Sequence, residues 1–170
     1  MFTYAQVEKA LASAFEVRTD AMGAFRGRIK HFQRLGLVPS SPGKGKKISY
    51  HREDIYKWAI GLEFAEFGLD PTVIKAQLVF AWPKVRRTLF LDPPDADKLF
   101  VFYPNIISGF LTDERPPRTG GLVCLVVDDL SQLPKLPESN VTYELLSRRL
   151  GMINLGRLRR DVERALSGDV

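Results

Sequence analysis

The chain has 170 residues, of which 45% are hydrophobic and 26% charged, a composition typical of a globular protein with one ordinary domain or two small ones. Its formal net charge of +5 favours a polyanionic partner, and no run of about 18 uncharged apolar residues is present to predict a membrane span. The single cysteine, Cys124, excludes a disulfide framework or a cysteine zinc cluster, and the N-terminus lacks the pattern of a secretory signal, so we expect a reducing cytoplasm.

Two helices are predicted at the start of the chain. Thr3, followed three residues later by Gln6, has the capping-box spacing for a helix over about residues 4–15. Asp20 is the expected N-cap of a second helix that runs to about Leu35.

The second predicted helix has an apolar face and a basic face. The apolar positions, three to four residues apart, are Met22, Phe25, Ile29 and Phe32. A neighbouring stripe at the same spacing carries Arg26, Lys30 and Arg34. Gly36 fits the left-handed residue that ends such a helix. Because Phe25 and Phe32 share the apolar face with Met22 and Ile29, we expect both rings in the core.

A concentration of positive charge extends from Arg18 to Arg52. The segment contains nine Lys or Arg and one acid, Asp20, so its formal charge is +8, whereas the rest of the chain sums to −3. Proline and glycine residues after the second helix predict a tight loop, a wing over about residues 42–50 whose end, 48–50, resembles a short strand. Its lysines are Lys44, Lys46 and Lys47.

Two further helices are predicted after this loop. The third starts near Arg52, carries apolar residues on more than one side and ends at Gly68. Asp70 and Pro71 give an N-cap and a first-turn proline for the fourth, which we expect to end at Trp82-Pro83. Its predicted apolar face consists of Val73, Ile74, Leu78 and Val79.

This order of motifs resembles the DNA-binding domain of the MerR family over about residues 3–80. The matching positions are Lys30-His31-Phe32 at the helix end, the turn Arg34-Leu35-Gly36-Leu37, Tyr50 at the close of the wing, Glu53-Asp54 at the next helix start, and Gly68-Leu69 through Ile74 at the last junction. The chain departs from the family in a longer segment before Lys30, in Phe32 where a Tyr is usual, and in lacking the long heptad helix that dimerises the family.

The resemblance implies a winged helix-turn-helix domain, residues 1–82, with helix 20–35 in the major groove of double-stranded DNA and the wing on the backbone. Arg26, Arg28 and Lys30 are candidates for base edges or adjacent phosphates, and Arg18 and Arg52 for phosphate clamps. The complete predicted DNA-binding set is Arg18, Arg26, Arg28, Lys30, His31, Arg34, Lys44, Lys46, Lys47, Tyr50 and Arg52.

The second half, residues 83–170, is predicted to be a small α+β domain, which makes the whole chain α+β. Strands are expected over 98–103, 106–111 and 121–127, residues 141–150 fit either a strand or a helix, and Asn154 is expected to cap a last helix over 155–166. Because the family's coiled coil is missing, we expect a homodimer formed through residues 84–170.

These patterns favour a transcriptional regulator without enzymatic activity, metal or cofactor. The only histidines, His31 and His51, lie in the basic segment, and no phosphate-binding or hydrolase motif is present. One alternative is a recombination-directionality or phage DNA-architectural protein that recruits a partner, and another is a ligand-binding or adaptor protein with no DNA role. The expected protein partners are RNA polymerase or a recombination enzyme.

Overall fold

A computed structural model describes residues 1–39, 48–93, 96–104, 122–128 and 151–168. In these residues the protein is α+β and mostly helical, with five α-helices and one three-stranded antiparallel sheet, which confirms the predicted fold class. Contacts divide the chain into two compact units: unit 1 comprises residues 1–75 and 158–170, and unit 2 comprises 76–157. The domain boundary at residues 82/83 stays a prediction, because compactness alone does not show which segments fold independently.

Helix α1, Tyr4–Ala14, begins at the predicted capping box. The Gln6 amide donates to the Thr3 hydroxyl over 3.3 Å, and the Thr3 amide donates to the Gln6 side chain over 2.8 Å. These bonds satisfy backbone donors that the first helical turn leaves without partners. The helix buries Val7, Ala10 and Leu11.

Helix α2, Met22–Arg34, follows one turn of 3-10 helix, Thr19–Ala21. The prediction that Asp20 caps it is wrong, because the Asp20 carboxylate instead accepts from the Arg18 guanidinium over 2.7 Å. Ala21 occupies the cap position with no side-chain hydrogen bond. Gly36 ends the helix with a φ of +76°, as predicted.

Helix α3, Arg52–Glu66, is the centre of unit 1 and is covered on several sides, as its pattern predicted. Among its residues Trp58 is fully buried and donates its indole N–H to the Ile29 carbonyl over 3.1 Å. The centroids of the Trp58 and Tyr50 rings lie 5.0 Å apart. The remaining buried residues of α3 are Asp54, Ile55, Tyr56, Ala59, Ile60, Gly61, Leu62 and Phe64.

The junction from α3 to α4 follows its predicted signals. Gly68 has a φ of +75°, which permits the chain to turn out of α3. The Asp70 carboxylate then accepts from the Thr72 amide over 2.8 Å and caps α4. Hydrogen bonds from Thr72 lower the pKa of Asp70, and His31 lowers it slightly further.

Helix α4, Pro71–Phe90, continues through Pro83, so the prediction that it ends at Trp82-Pro83 is wrong. A proline inside a helix removes one backbone hydrogen bond and costs about 3 kcal/mol. Val85 and Leu89, beyond the proline, are both buried, and their packing offsets that cost. Val79, predicted on the apolar face, is 66% exposed instead.

Unit 2 contains the sheet, in which β1, Leu99–Pro104, lies between β2, Leu122–Val127, and β3, Gly151–Asn154. The strands predicted over 98–103 and 121–127 are confirmed, but β3 was not predicted. Both neighbours run antiparallel to β1, and Phe100 faces Val126 on one side and Ile153 on the other. The predictions for 106–111 and 141–150 lie outside the described residues.

Helix α5, Leu155–Ser167, directly follows β3. The Arg157 amide donates to the Asn154 side chain over 2.8 Å, which confirms the predicted cap. In unit 1, the Tyr56 hydroxyl donates to the Glu163 carboxylate over 2.8 Å, and this bond ties α5 to α3. Burial raises the pKa of Tyr56, as does its bond to Glu163, so the hydroxyl remains a proton donor at neutral pH.

Candidate nucleic-acid interface

One face of α2 is fixed in the core and the other is open. Ile29 and Phe32 are fully buried, whereas Lys30 and Arg34 are exposed one helical turn apart. Within the part of the chain that the structure describes, no ion pair engages either cation. The basic stripe predicted from the sequence is therefore presented outward by a helix whose rotation is set by its apolar face.

Two glycines lie on this open face beside the cations. Gly23 and Gly27 are exposed and four residues apart, and a Cβ atom added at either would meet nothing within 4 Å. The helix backbone is thus directly accessible there, although glycine in a helix interior costs about 1 kcal/mol relative to alanine.

Four of the predicted DNA-binding arginines form ion pairs with carboxylates. Arg26 contacts Glu8 over 2.6 Å, and Arg28 contacts Glu66 over 2.9 Å. Arg52 lies 3.2 Å from Glu163, and Arg18 pairs with Asp20 as described above. All four guanidinium groups are at least half exposed. The pairs of Arg18 and Arg28, whose carboxylates are exposed as well, contribute at most about 1 kcal/mol each, whereas the Glu8 side chain is only 12% exposed. A phosphate can therefore displace Asp20 and Glu66 at little cost, whereas the release of Arg26 removes a partner from the largely buried Glu8 carboxylate.

The predicted base-contacting residues do not all share one surface. Residues two apart are separated by about 200° around a helix, so Arg28 lies nearly opposite Arg26 and Lys30. The Arg28 pair with Glu66 of α3 is consistent with that placement. The structure brings Arg26, Lys30 and Arg34 together and sets Arg28 apart.

Tyr50 connects the end of the predicted wing to α2. Its backbone forms an antiparallel bridge with Phe2, with N–H to O distances of 2.8 and 2.9 Å. Its ring is 1% exposed, and its hydroxyl accepts from the Gln33 amide over 2.7 Å. The same Gln33 amide donates to the Pro39 carbonyl over 3.1 Å. Residues 48–50 otherwise form no strand, and Lys44, Lys46 and Lys47 lie outside the described residues.

A groove of about 630 Å³ runs between α1 and α2 along the basic stripe. Tyr4, Glu8, Arg26 and Lys30 contribute to its lining. The Tyr4 hydroxyl is buried without a hydrogen-bond partner among the described residues. Burial raises the pKa of Tyr4, and the Glu8 carboxylate raises it further, so the phenol is a neutral donor beside the cations.

A group of acids lies in unit 1 at the end of α3. Burial raises the pKa of Glu63, and the carboxylates of Glu66 and Asp161 raise it further. The folded protein therefore holds the Glu63 proton more tightly than the unfolded chain does. Ionisation of Glu63 consequently destabilises the fold at a pH above its raised pKa, and this penalty vanishes below the ordinary glutamate value of about 4.3.

We therefore expect Glu63→Gln to raise the free energy of unfolding at pH 7 and to leave it unchanged near pH 4. Urea unfolding at the two pH values measures the difference. The exposed acid Glu16 provides the control, because Glu16→Gln removes the same charge without relieving burial. Equal stabilisation by both replacements would contradict a specific penalty at Glu63.

In unit 2, Lys98, directly before β1, pairs with one acid that follows α4 and one that follows β2. Its ammonium lies 2.9 Å from Asp92 and 3.4 Å from Asp128, which directly follows β2. The bond from Lys98 lowers the pKa of Asp92. In the described ranges no group of three His, Cys, Asp or Glu side chains is placed to hold a metal ion.

None of the described helices has the length and hydropathy needed to cross a bilayer. No protein-family model matches the chain, and no curated protein matches it either.

Proposed function

We propose that unit 1 binds double-stranded DNA, with the open face of α2 in the major groove. The observation that carries this proposal is that one helix face presents two exposed cations, Lys30 and Arg34, beside accessible backbone at Gly23 and Gly27. Cations near phosphates release condensed counterions, and a helix without side chains at two positions can approach base edges closely. Arg26 joins this surface when it leaves Glu8.

The first test is fluorescence anisotropy with the purified chain and labelled genomic duplexes at 50 to 200 mM salt. Neutralising several phosphates predicts that log affinity falls linearly with log salt, with a slope of about −0.9 per phosphate. Binding that ignores salt, or no binding even at the lowest salt, would contradict the proposal.

A sharper prediction concerns the two glycines. Gly23→Ala with Gly27→Ala is expected to raise the free energy of unfolding by up to about 2 kcal/mol, because each position has open space and alanine favours the helix by about 1 kcal/mol. The same methyl groups are expected to weaken DNA binding by keeping the backbone away from the duplex. Urea unfolding and anisotropy measure the two effects, which have opposite signs. Unchanged DNA affinity in the stabilised variant would remove the close approach from the proposal.

For the biological role we propose transcriptional regulation in the cytoplasm, by a MerR-like mode and as a homodimer. The MerR-like motifs between Lys30 and Ile74 and the confirmed helix ends at Gly36 and Gly68 support this role. Genome-wide mapping of bound sites tests it. Inverted half-sites within promoters are expected, whereas attachment or packaging sites would instead support the recombination role. A monomer by light scattering, with and without DNA, would contradict the dimer.

A further inference from the structure

The outer face of α4 exposes large apolar side chains. Val79 and Phe80 are each 66% exposed, and Pro83 lies exposed one turn further along the same side. Leu91, directly after the helix, is 72% exposed. The opposite side of the helix is occupied by buried residues such as Leu78, so this second apolar surface is not needed for the core. Clustered exposed apolar side chains mark interaction sites more often than isolated ones do.

The charged side chains of α4 itself are all positive. Helix α4 contains four cations and no acid: Lys75, Lys84, Arg86 and Arg87. At 100° per residue, Arg86 and Lys84 lie on the two flanks of the Val79–Phe80–Pro83 strip, and Arg87 lies within it. The Arg86 guanidinium is 5.9 Å from the centre of the Phe90 ring, which holds one flank in place.

We propose that this face of α4 binds an amphipathic helix of a partner protein that presents apolar side chains flanked by Asp or Glu. The apolar strip supplies anchoring contacts, and the flanking cations select for carboxylates on both sides of the partner's apolar stripe. A second copy of the chain is a poor occupant, because two copies of α4 would bring cations against cations with no acid on either helix. The proposal is independent of DNA binding, since none of its residues belongs to the α2 surface.

The test uses the full chain and a fluorescein-labelled synthetic helix with leucines at i, i+3, i+4 and i+7 and glutamates on both flanks. The wild-type chain is expected to bind this peptide and to bind a lysine-flanked counterpart at least about tenfold more weakly. Phe80→Ser is expected to weaken binding of the glutamate peptide about tenfold or more, because it removes the central anchor. Circular dichroism and urea unfolding verify that this exposed replacement leaves the fold intact.

Charge reversal provides the decisive comparison. The Lys84→Glu/Arg87→Glu variant is expected to lose affinity for the glutamate peptide and to bind the lysine peptide instead. The Arg160→Glu/Arg164→Glu variant on α5 changes the net charge by the same amount and is expected to leave both affinities unchanged. Equal binding of the two peptides by the wild-type chain would overturn the proposal, as would full affinity in Phe80→Ser. Two further outcomes would overturn it. Duplex DNA could displace the peptide from the Lys30→Glu/Arg34→Glu variant, which would make α4 a DNA-binding surface. Phe80→Ser could convert a dimer detected by light scattering into a monomer, which would make a second copy the occupant.

Discussion

Replacing Lys30 and Arg34 together by glutamate is expected to weaken binding to duplex DNA by about a hundredfold or more. Each base or phosphate contact of a well-placed cation contributes about 1–3 kcal/mol, and 1.4 kcal/mol corresponds to a factor of ten. Both side chains are exposed, and no carboxylate among the described residues pairs with them, so the free energy of unfolding should hardly change. Anisotropy titrations over a salt series measure the affinity and the loss of about two phosphate contacts from the slope.

The matched control is the α5 pair Arg160→Glu and Arg164→Glu, which changes the net charge by the same amount on another helix. This variant should lose only the weak, salt-screened part of the attraction. If both double variants lost affinity equally, the binding would depend on overall charge, and the α2 face would not be the DNA-binding surface.

Trp58→Ala is expected to cost about 3–5 kcal/mol, enough to unfold a large fraction of unit 1. The indole is fully buried, packs against Tyr50 and donates to the Ile29 carbonyl of α2, so its loss removes both a core volume and a fixed point of the DNA-binding helix. Urea unfolding followed by circular dichroism measures the loss, and DNA affinity should fall with the folded fraction.

Trp58→Phe separates packing from hydrogen bonding at this position. It keeps an aromatic ring beside Tyr50 but leaves the Ile29 carbonyl without its indole donor, which should cost about 1–3 kcal/mol in a buried setting. If the phenylalanine variant were as unstable as the alanine variant, the hydrogen bond rather than the ring would hold α2 in place.

The features predicted correctly are those that depend on residues close together in the sequence. The capping box at Thr3, the left-handed glycines Gly36 and Gly68, and the Asn154 cap each need only a few neighbouring residues. Of the apolar face predicted for α2 from local periodicity, Ile29 and Phe32 are buried, whereas Met22 and Phe25 are only partly buried. These signals were enough to predict the α+β class and the outward basic stripe of α2.

The failures have long-range or competing causes. The Asp20 carboxylate accepts hydrogen bonds from the nearby Arg18 guanidinium instead of from backbone amides at the helix N-terminus. The helix-breaking tendency of Pro83 was overcome by burial on both sides of it, which no local rule contains. The partners of Arg26 and Arg28 lie 18 and 38 residues away, so no spacing rule could have revealed these ion pairs.

Unit 1 is discontinuous along the chain, and this affects the order in which it can fold. The Tyr56 hydroxyl and its Glu163 partner are separated by 107 residues, most of which belong to unit 2. Contacts between residues so far apart in the sequence form slowly. During synthesis, α1, α2 and α3 emerge well before α5. The surface around Tyr56 therefore stays exposed until the strands and then α5 have been synthesised. We therefore expect the contact between α5 and α3 to form late, after residues 76–157 have been synthesised.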